Sequence, residues 1–211
     1  VHDLHHRLTP AFKEVSVGGR WELREYTYQN ICKRAYKLLT ESEFGKQDIV
    51  KYYKFKEKDI VVLRTLPPSY LDPKISDAMV SKTKSEFKIK GKYIFYPAKF
   101  WPHKNHIRII QALHHLKKRG IELDLVLSGS KEADFSTFNQ VMLLAKQLKV
   151  DGQVKYVGYV DDKQLSGLYK GALALVMPTY FGATNIPVLE AWKMGTPERN
   201  SDIRGCRHQL G

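Results

Sequence analysis

The chain has 211 residues, 43% of them hydrophobic and 11% aromatic, which is ample for a packed core, so it reads as globular. Lys and Arg number 35 against 22 Asp and Glu, a net charge of +13 that favours an anionic partner such as a nucleotide, a nucleic acid or an acidic lipid surface without choosing among them. The two cysteines, Cys32 and Cys206, are far apart and in no C-x-x-C pair, so they indicate neither a zinc site nor a disulfide framework, and no apolar run approaches the roughly eighteen residues of a membrane span.

A reducing, cytoplasmic setting is the default for such cysteine usage, and the N-terminus lacks the basic and apolar regions of a signal peptide. Val1-His-Asp-Leu4 reads as the end of a strand and Leu210-Gly211 as the start of a helix, so the chain is expected to be an internal portion of a longer protein. A loop is expected to follow to residue 20. Trp21, Tyr28, Ile31 and Cys32 then fall on one face of a helix over 21–34. A short strand at 36–40, a helix over 42–53 with Ser42 as its cap, and a strand at 59–65 come next.

Pro67-Pro68, Pro73 and the Lys- and Ser-rich sequence up to Lys92 interrupt the alternation, which suits a linker with room for one helix. Beyond it the spacing predicts strands at 93–97, 123–127, 154–157 and 172–177. Between and after them it predicts a helix with Ile107, Ile110, Leu113 and Leu116 inward, one with Phe138, Val141, Leu144, Ala145 and Leu148 inward, a capping-box helix from Asp161 to Gly171, and one over 187–194. Strands alternating with helices through short turns predict a doubly wound parallel sheet.

Open parallel sheets bind ligands beyond the carboxyl ends of their strands. The turn at 97–106 carries Lys99, His103, Lys104 and His106 ahead of a helix N-terminus, whose unpaired N–H groups and partial positive charge suit a phosphate or diphosphate. A solvated basic turn is the plainer alternative. The turn at 179–187 offers Thr184 and Asn185 as a second anion cradle, with Pro187 in the first helical turn. Glu190 lies one turn in, where a carboxylate either contacts a ligand or simply complements the helix dipole. His2, with Asp3 at the expected strand end, has the chemistry to bond a substrate or move a proton. His5 and His6 follow it, but no matching acidic or cysteine set indicates metal binding. Ser128-Gly129-Ser130 fits either a ligand-contacting turn or any tight strand-to-helix turn.

Together these segments resemble the retaining glycosyltransferases of the GT-B type, in the family-four group of group 1 transferases. Tyr96-Pro-Ala-Lys-Phe-Trp-Pro-His-Lys-Asn105 is similar to the family's donor-phosphate loop, and Met177-Pro-Thr-Tyr-Phe-Gly-Ala-Thr-Asn-Ile-Pro-Val-Leu-Glu-Ala191 to its nucleotide-sugar motif. Gly195-Thr-Pro197, Ser201-Asp202-Ile203, Val1-His-Asp-Leu4 and Ser42-Glu43 continue the likeness. The resemblance implies an α/β fold of two Rossmann-like domains with parallel sheets, each only partly represented. The end of the acceptor-side domain is expected at 1–75, a linker at 76–90 and the first part of the nucleotide-sugar domain at 91–211.

The same resemblance implies site roles. Lys104 and Lys99 neutralise the donor diphosphate, Glu190 contacts the nucleotide ribose, Thr184 and Asn185 face the donor sugar and phosphate, and His2 touches the transferred sugar. It implies transfer of a hexose from a nucleotide diphosphate sugar to a glycan or lipid-linked acceptor with retention, without a metal ion, in cell-surface polysaccharide assembly. A cytoplasmic enzyme touching the inner face of an anionic membrane is the expected setting, and no nucleic-acid motif accompanies the charge. Two departures stand out: Gly182 occupies the first glutamate position of the family's E-x7-E motif, and Glu198-Arg199-Asn200 replaces a short apolar strand, so the sheet is expected to end early. These departures keep a non-catalytic nucleotide- or sugar-binding remnant as the alternative, with a sugar-nucleotide epimerase behind it.

Overall fold

The structure, a computed structural model, describes residues 1–182 and 184–203. It divides into two compact units, the first built on Val1–Leu66 with Phe181–Asn185, the second on Pro67–Tyr180 with Ile186–Ser201. The helix expected at Leu210-Gly211, and Cys206, lie outside the described residues. Among the described residues no helix is long and apolar enough to cross a membrane.

The first unit runs α1 (His5–Leu8), α2 (Lys13–Ser16), α3 (Arg20–Arg34), β1 (Leu38–Thr40), α4 (Glu43–Tyr53), a 3-10 turn at Glu57–Asp59 and β2 (Ile60–Val62). The two strands pair in parallel, Leu38 opposite Ile60. Leu4, Leu38, Ile49 and Ile60 form a small apolar core, with Tyr28, Cys32, Tyr53 and Phe55 packed around it. Ser42 caps α4 as its sequence predicts, its hydroxyl accepting from the Gly45 amide at 3.0 Å. Gly45 is required there, since a Cβ would lie 2.2 Å from Thr40 Oγ1.

The N-terminal expectation is corrected. Residues 1–4 form no strand: the Val1 amino group reaches the Leu39 carbonyl at 2.8 Å, but one bond is not a ladder. Asp3 instead accepts from the His5 amide at 2.9 Å, directly ahead of α1, so His2 and Asp3 do not end a strand. The supposed loop up to residue 20 holds two short helices.

The only buried residue of α3 is a carboxylate, Glu25. It accepts from Nε and Nη2 of Arg7, from Gln29 at 2.7 Å and from Tyr53 at 3.2 Å, and it meets the fully buried His6 at 3.2 Å. Burial alone would raise the Glu25 pKa, but the bonds from Arg7, Gln29 and His6 outweigh it and hold it at about 2. Burial pushes His6 the other way from an ion, below the usual histidine range.

The second unit contains α5 (Asp77–Glu86), β3 (Tyr93–Pro97), a 3-10 turn at Pro102–Lys104, α6 (His106–Lys118), β4 (Asp124–Ser128), α7 (Phe135–Gln147), a 3-10 turn at Asp151–Gln153, β5 (Val154–Gly158), α8 (Asp162–Gly171), β6 (Ala174–Met177), α9 (Ile186–Met194) and β7 (Glu198–Asn200). Its strands are all parallel in the order β5-β4-β3-β6-β7. Leu125, Val126 and Leu127 of β4 are fully buried, as a strand covered on both faces requires. The capping box of α8 forms as expected: Asp161 accepts from the Gln164 amide, and the Gln164 side chain accepts from the Asp161 amide.

The one helix allowed for in the proline-rich stretch is α5, and it packs against α8 within this unit. Contact is close because α8 presents Gly167 and Gly171. A Cβ on Gly167 would lie 2.6 Å from Thr83 Oγ1 of α5, and one on Gly171 3.0 Å from Val80 Cγ1 of the same helix. The sheet does not end early: Glu198-Arg199-Asn200 forms β7, pairing with β6 from Leu175↔Glu198 to Met177↔Asn200. Its polar side chains are tolerated because the strand is only half-buried.

Candidate functional site

The strand order reverses between β3 and β6, and it is outside the carboxyl ends of strands at such a reversal that open parallel sheets bind ligands. The turns that leave these two strands are bonded to each other. The His103 carbonyl accepts from the Thr179 hydroxyl at 3.1 Å and the Tyr180 amide at 2.8 Å, while Asn105 Nδ2 donates to the Pro178 carbonyl at 2.9 Å. Asn105 makes this reach from a left-handed conformation, φ 56°, that asparagine tolerates.

Lys99 and Lys104 both ride on the first turn, Lys99 exposed and Lys104 half-buried. The turn is stiff: the Tyr96 hydroxyl donates to the Lys104 carbonyl at 2.7 Å, and the Lys104 amide donates to the Trp101 carbonyl at 2.9 Å. Ser128-Gly129-Ser130 supports it from the next strand. Ala98 N donates to the Ser128 carbonyl at 2.9 Å, and Gly129, at φ 124°, approaches so closely that a Cβ would sit 2.6 Å from the Ala98 carbonyl oxygen. That decides the glycine: close backbone packing demands it.

His106 leaves the list of exposed cations. It is buried and stacked on Phe100 with ring centres 4.3 Å apart, and burial pushes its pKa down to about 3. It is a neutral core ring that braces the start of α6.

Glu190 lies in α9 of the same unit and is 5% exposed. Its Oε2 accepts from the Tyr169 hydroxyl at 2.5 Å, and its Oε1 accepts from the Tyr70 hydroxyl. Burial, reinforced by the carboxylate, pushes both phenols above the usual tyrosine range, so both stay donors. Glu190 is thus more than a charge near a helix terminus. Neither tyrosine was legible as a site residue. Tyr70 stands in a proline-rich stretch without periodicity, and Tyr169 reads as one more core position of α8.

Thr184 and Asn185 group with the first unit, as does Gly182. A Cβ on Gly182 would lie 2.4 Å from Asn185 Oδ1, so the buried Asn185 amide fills the space that a side chain at 182 would need. Phe181, beside them, stacks on His5 at 4.2 Å and meets Phe12 edge-on at 5.2 Å. His2 also belongs to the first unit. Its Nδ1 meets Glu41 Oε1 at 2.5 Å while its ring is largely exposed. An ionised carboxylate only accepts, so Nδ1 carries the proton, leaving Nε2 outward. Among the described residues no three His, Cys, Asp or Glu side chains gather in a set that could hold a metal ion.

A stiff basic turn at a strand-order reversal has the chemistry to hold an anion. The family model of glycosyl transferases group 1 matches residues 79–211. This chain belongs to that family. Among the curated relatives, the O-antigen chain mannosyltransferase B of Escherichia coli is 26% identical over 82% of this chain and 45% of its own length. The mannosylfructose-phosphate synthase of Agrobacterium fabrum is also 26% identical, over 71% of this chain and 34% of its own. The chain therefore spans less than half the length of these relatives.

Solved structures match in fold. Anabaena Alr3699/HepE, crystallised with UDP-glucose, superposes with a TM-score of 0.79 at 15% identity, covering 98% of this chain and 54% of that one. A glycosyltransferase from Rickettsia africae gives 0.76 at 21% identity, covering 87% and 48%. The fold is GT-B.

Proposed function

We propose that this group 1 chain takes part in transferring a hexose, with retention, from a nucleotide diphosphate sugar to a glycan or lipid-linked acceptor in cell-surface polysaccharide assembly. The observation that carries the reading is the bonded pair of turns beyond β3 and β6, with Lys99 and Lys104 on the first. Departure of a nucleoside diphosphate builds charge on phosphate oxygens. Cations and amide N–H groups held rigidly at that point stabilise the transition state more than the ground state.

Lys104 and Lys99 neutralise the diphosphate in this scheme, and no metal ion is needed because the cations are built in. Glu190 contacts the ribose, Thr184 and Asn185 face the donor sugar, and the outward Nε2 of His2 accepts from a hydroxyl of the transferred sugar. UDP-glucose bound in the Anabaena neighbour and the mannosyl transfer named for the Escherichia coli relative support this class of donor. The +13 balance suits an anionic membrane surface as the place where a lipid-linked acceptor is met.

Calorimetric titration of this chain with UDP, GDP and ADP tests the reading. One nucleotide should bind saturably and unaffected by EDTA, and Lys104→Ala should weaken it at least tenfold, about 1.4 kcal/mol. Equal affinity in the variant removes the phosphate role from this turn. A second reading, binding without transfer, is favoured by Gly182, because the family's first glutamate is absent and Asn185 fills its space. Tight nucleotide binding with no transfer by the full-length protein would support it.

A further inference from the structure

Glu190 has no bare face in this structure. It is 5% exposed, and each of its oxygens already holds a phenol hydroxyl, from Tyr169 on one side and Tyr70 on the other. A carboxylate oxygen can accept a second bond, but with 5% of the residue exposed a ribose hydroxyl reaches Glu190 only where one of the covering phenols moves aside. The two are not equivalent. Tyr169 is fully buried on α8, meets Phe95 edge-on with ring centres 5.0 Å apart, and has no path out. Tyr70 is 45% exposed and sits on the non-helical segment with which the second unit begins.

That segment is itself well anchored on either side of Tyr70. The Pro68 carbonyl accepts from Lys193 Nζ at 2.7 Å, Leu71 is buried, and the Asp72 amide donates to Ser166 Oγ at 3.1 Å. The backbone is thus held on both sides of Tyr70, while the ring itself is the exposed one of the two donors.

We infer that Tyr70 is a specificity-determining residue of the nucleotide site: its hydroxyl stands in for a ribose hydroxyl on Glu190 and yields to it when a ribonucleotide binds. The inference rests on the proposed contact between Glu190 and the ribose. The exchange is hydroxyl for hydroxyl, so the count of bonds to a buried carboxylate is conserved. A nucleotide without ribose hydroxyls either leaves Tyr70 in place or strips the carboxylate of a donor and returns none, which buried acceptors penalise heavily.

The test compares the nucleoside diphosphate that this chain binds, among UDP, GDP and ADP, with its 2′,3′-dideoxy form, in the wild type and in Tyr70→Phe. The variant keeps the ring but loses the competing hydroxyl. Its affinity for the ribonucleotide should rise about tenfold, and that for the dideoxy form should not change. A weaker ribonucleotide complex, or an equal rise for both ligands, overturns the exchange while leaving the nucleotide site standing. Failure of the wild type to bind any of the three overturns the site and the inference together. The wild type gives an independent reading through nitration of Tyr70, followed by peptide mass. Saturating ribonucleotide should accelerate it several-fold and the dideoxy form should not; protection or no change sinks the idea.

Discussion

The two units solve the same problem with different materials. The second covers a parallel sheet on both faces with apolar residues: Tyr93, Phe95, Leu125, Val126, Leu127 and Tyr169 are all fully buried. Among the described residues, the first has two strands of three residues, a core of four apolar side chains and a long helix whose only buried residue is Glu25. It is held in good part by ions, with Arg7 serving Glu25 and stacking against Tyr52 and Tyr53 at 5.2 and 5.3 Å. A unit held by an ion cluster depends on pH and geometry, whereas one held by burial depends on volume.

Cutting volume from the second unit gives the largest expected effect. Leu125→Ala should cost about 2–5 kcal/mol, read as loss of hydrogen-exchange protection across β3, β4 and β5. Protection over 38–62 should change far less. The comparison breaks if both regions lose protection equally.

Removing the charge from the first unit comes next. Glu25→Gln should cost about 2–3 kcal/mol, because it leaves the Arg7 guanidinium without its anion in a partly buried site. Acid makes the same cut. The folded pKa of Glu25 is lowered to about 2 against an ordinary value of 4.5, so its contribution is complete above pH 4.5 and is lost as the pH falls toward 2. Chemical denaturation of the wild type across that window should therefore lose stability that the glutamine variant has already lost.

Filling space is the third cut. Gly167→Ala pushes a Cβ to 2.6 Å from Thr83 Oγ1, a stiff side chain bonded back to the Met79 carbonyl. A loss of about 1–2 kcal/mol should appear, with α5 rather than the sheet losing protection first. Smallest is Asp161→Ala, about 1 kcal/mol through the capping box, measurable as a shift in the denaturant midpoint at constant slope.

Legibility follows the same division. The alternation of β3 to α9 was readable, since apolar runs buried on both faces and helices with one apolar stripe carry strong periodic signals. Lys99 and Lys104 could be put at a strand's carboxyl end for the same reason. Glu25 was readable in principle and missed. It falls on the stripe of Trp21, Tyr28 and Cys32, and a carboxylate on a buried stripe announces a cation partner. Residues 5–16 were misjudged because helices of four residues carry no period. The strand β7, outermost among the described residues, was misjudged because its backbone bonds to β6 overrule a polar sequence.

By itself, the amino-acid sequence determined what is local: the periods, the caps at Ser42 and Asp161, the basic turn and the residues that carry the family's pattern. Only the tertiary structure decided that His106 is core rather than cation, that Asn185 fills the space at Gly182, and that Glu190 is shared between Tyr70 and Tyr169. Those facts depend on burial and on partners up to 120 positions away along the chain, as Tyr70 is from Glu190. A side chain's charge and bonding are set by what surrounds it in space, and no periodicity encodes that.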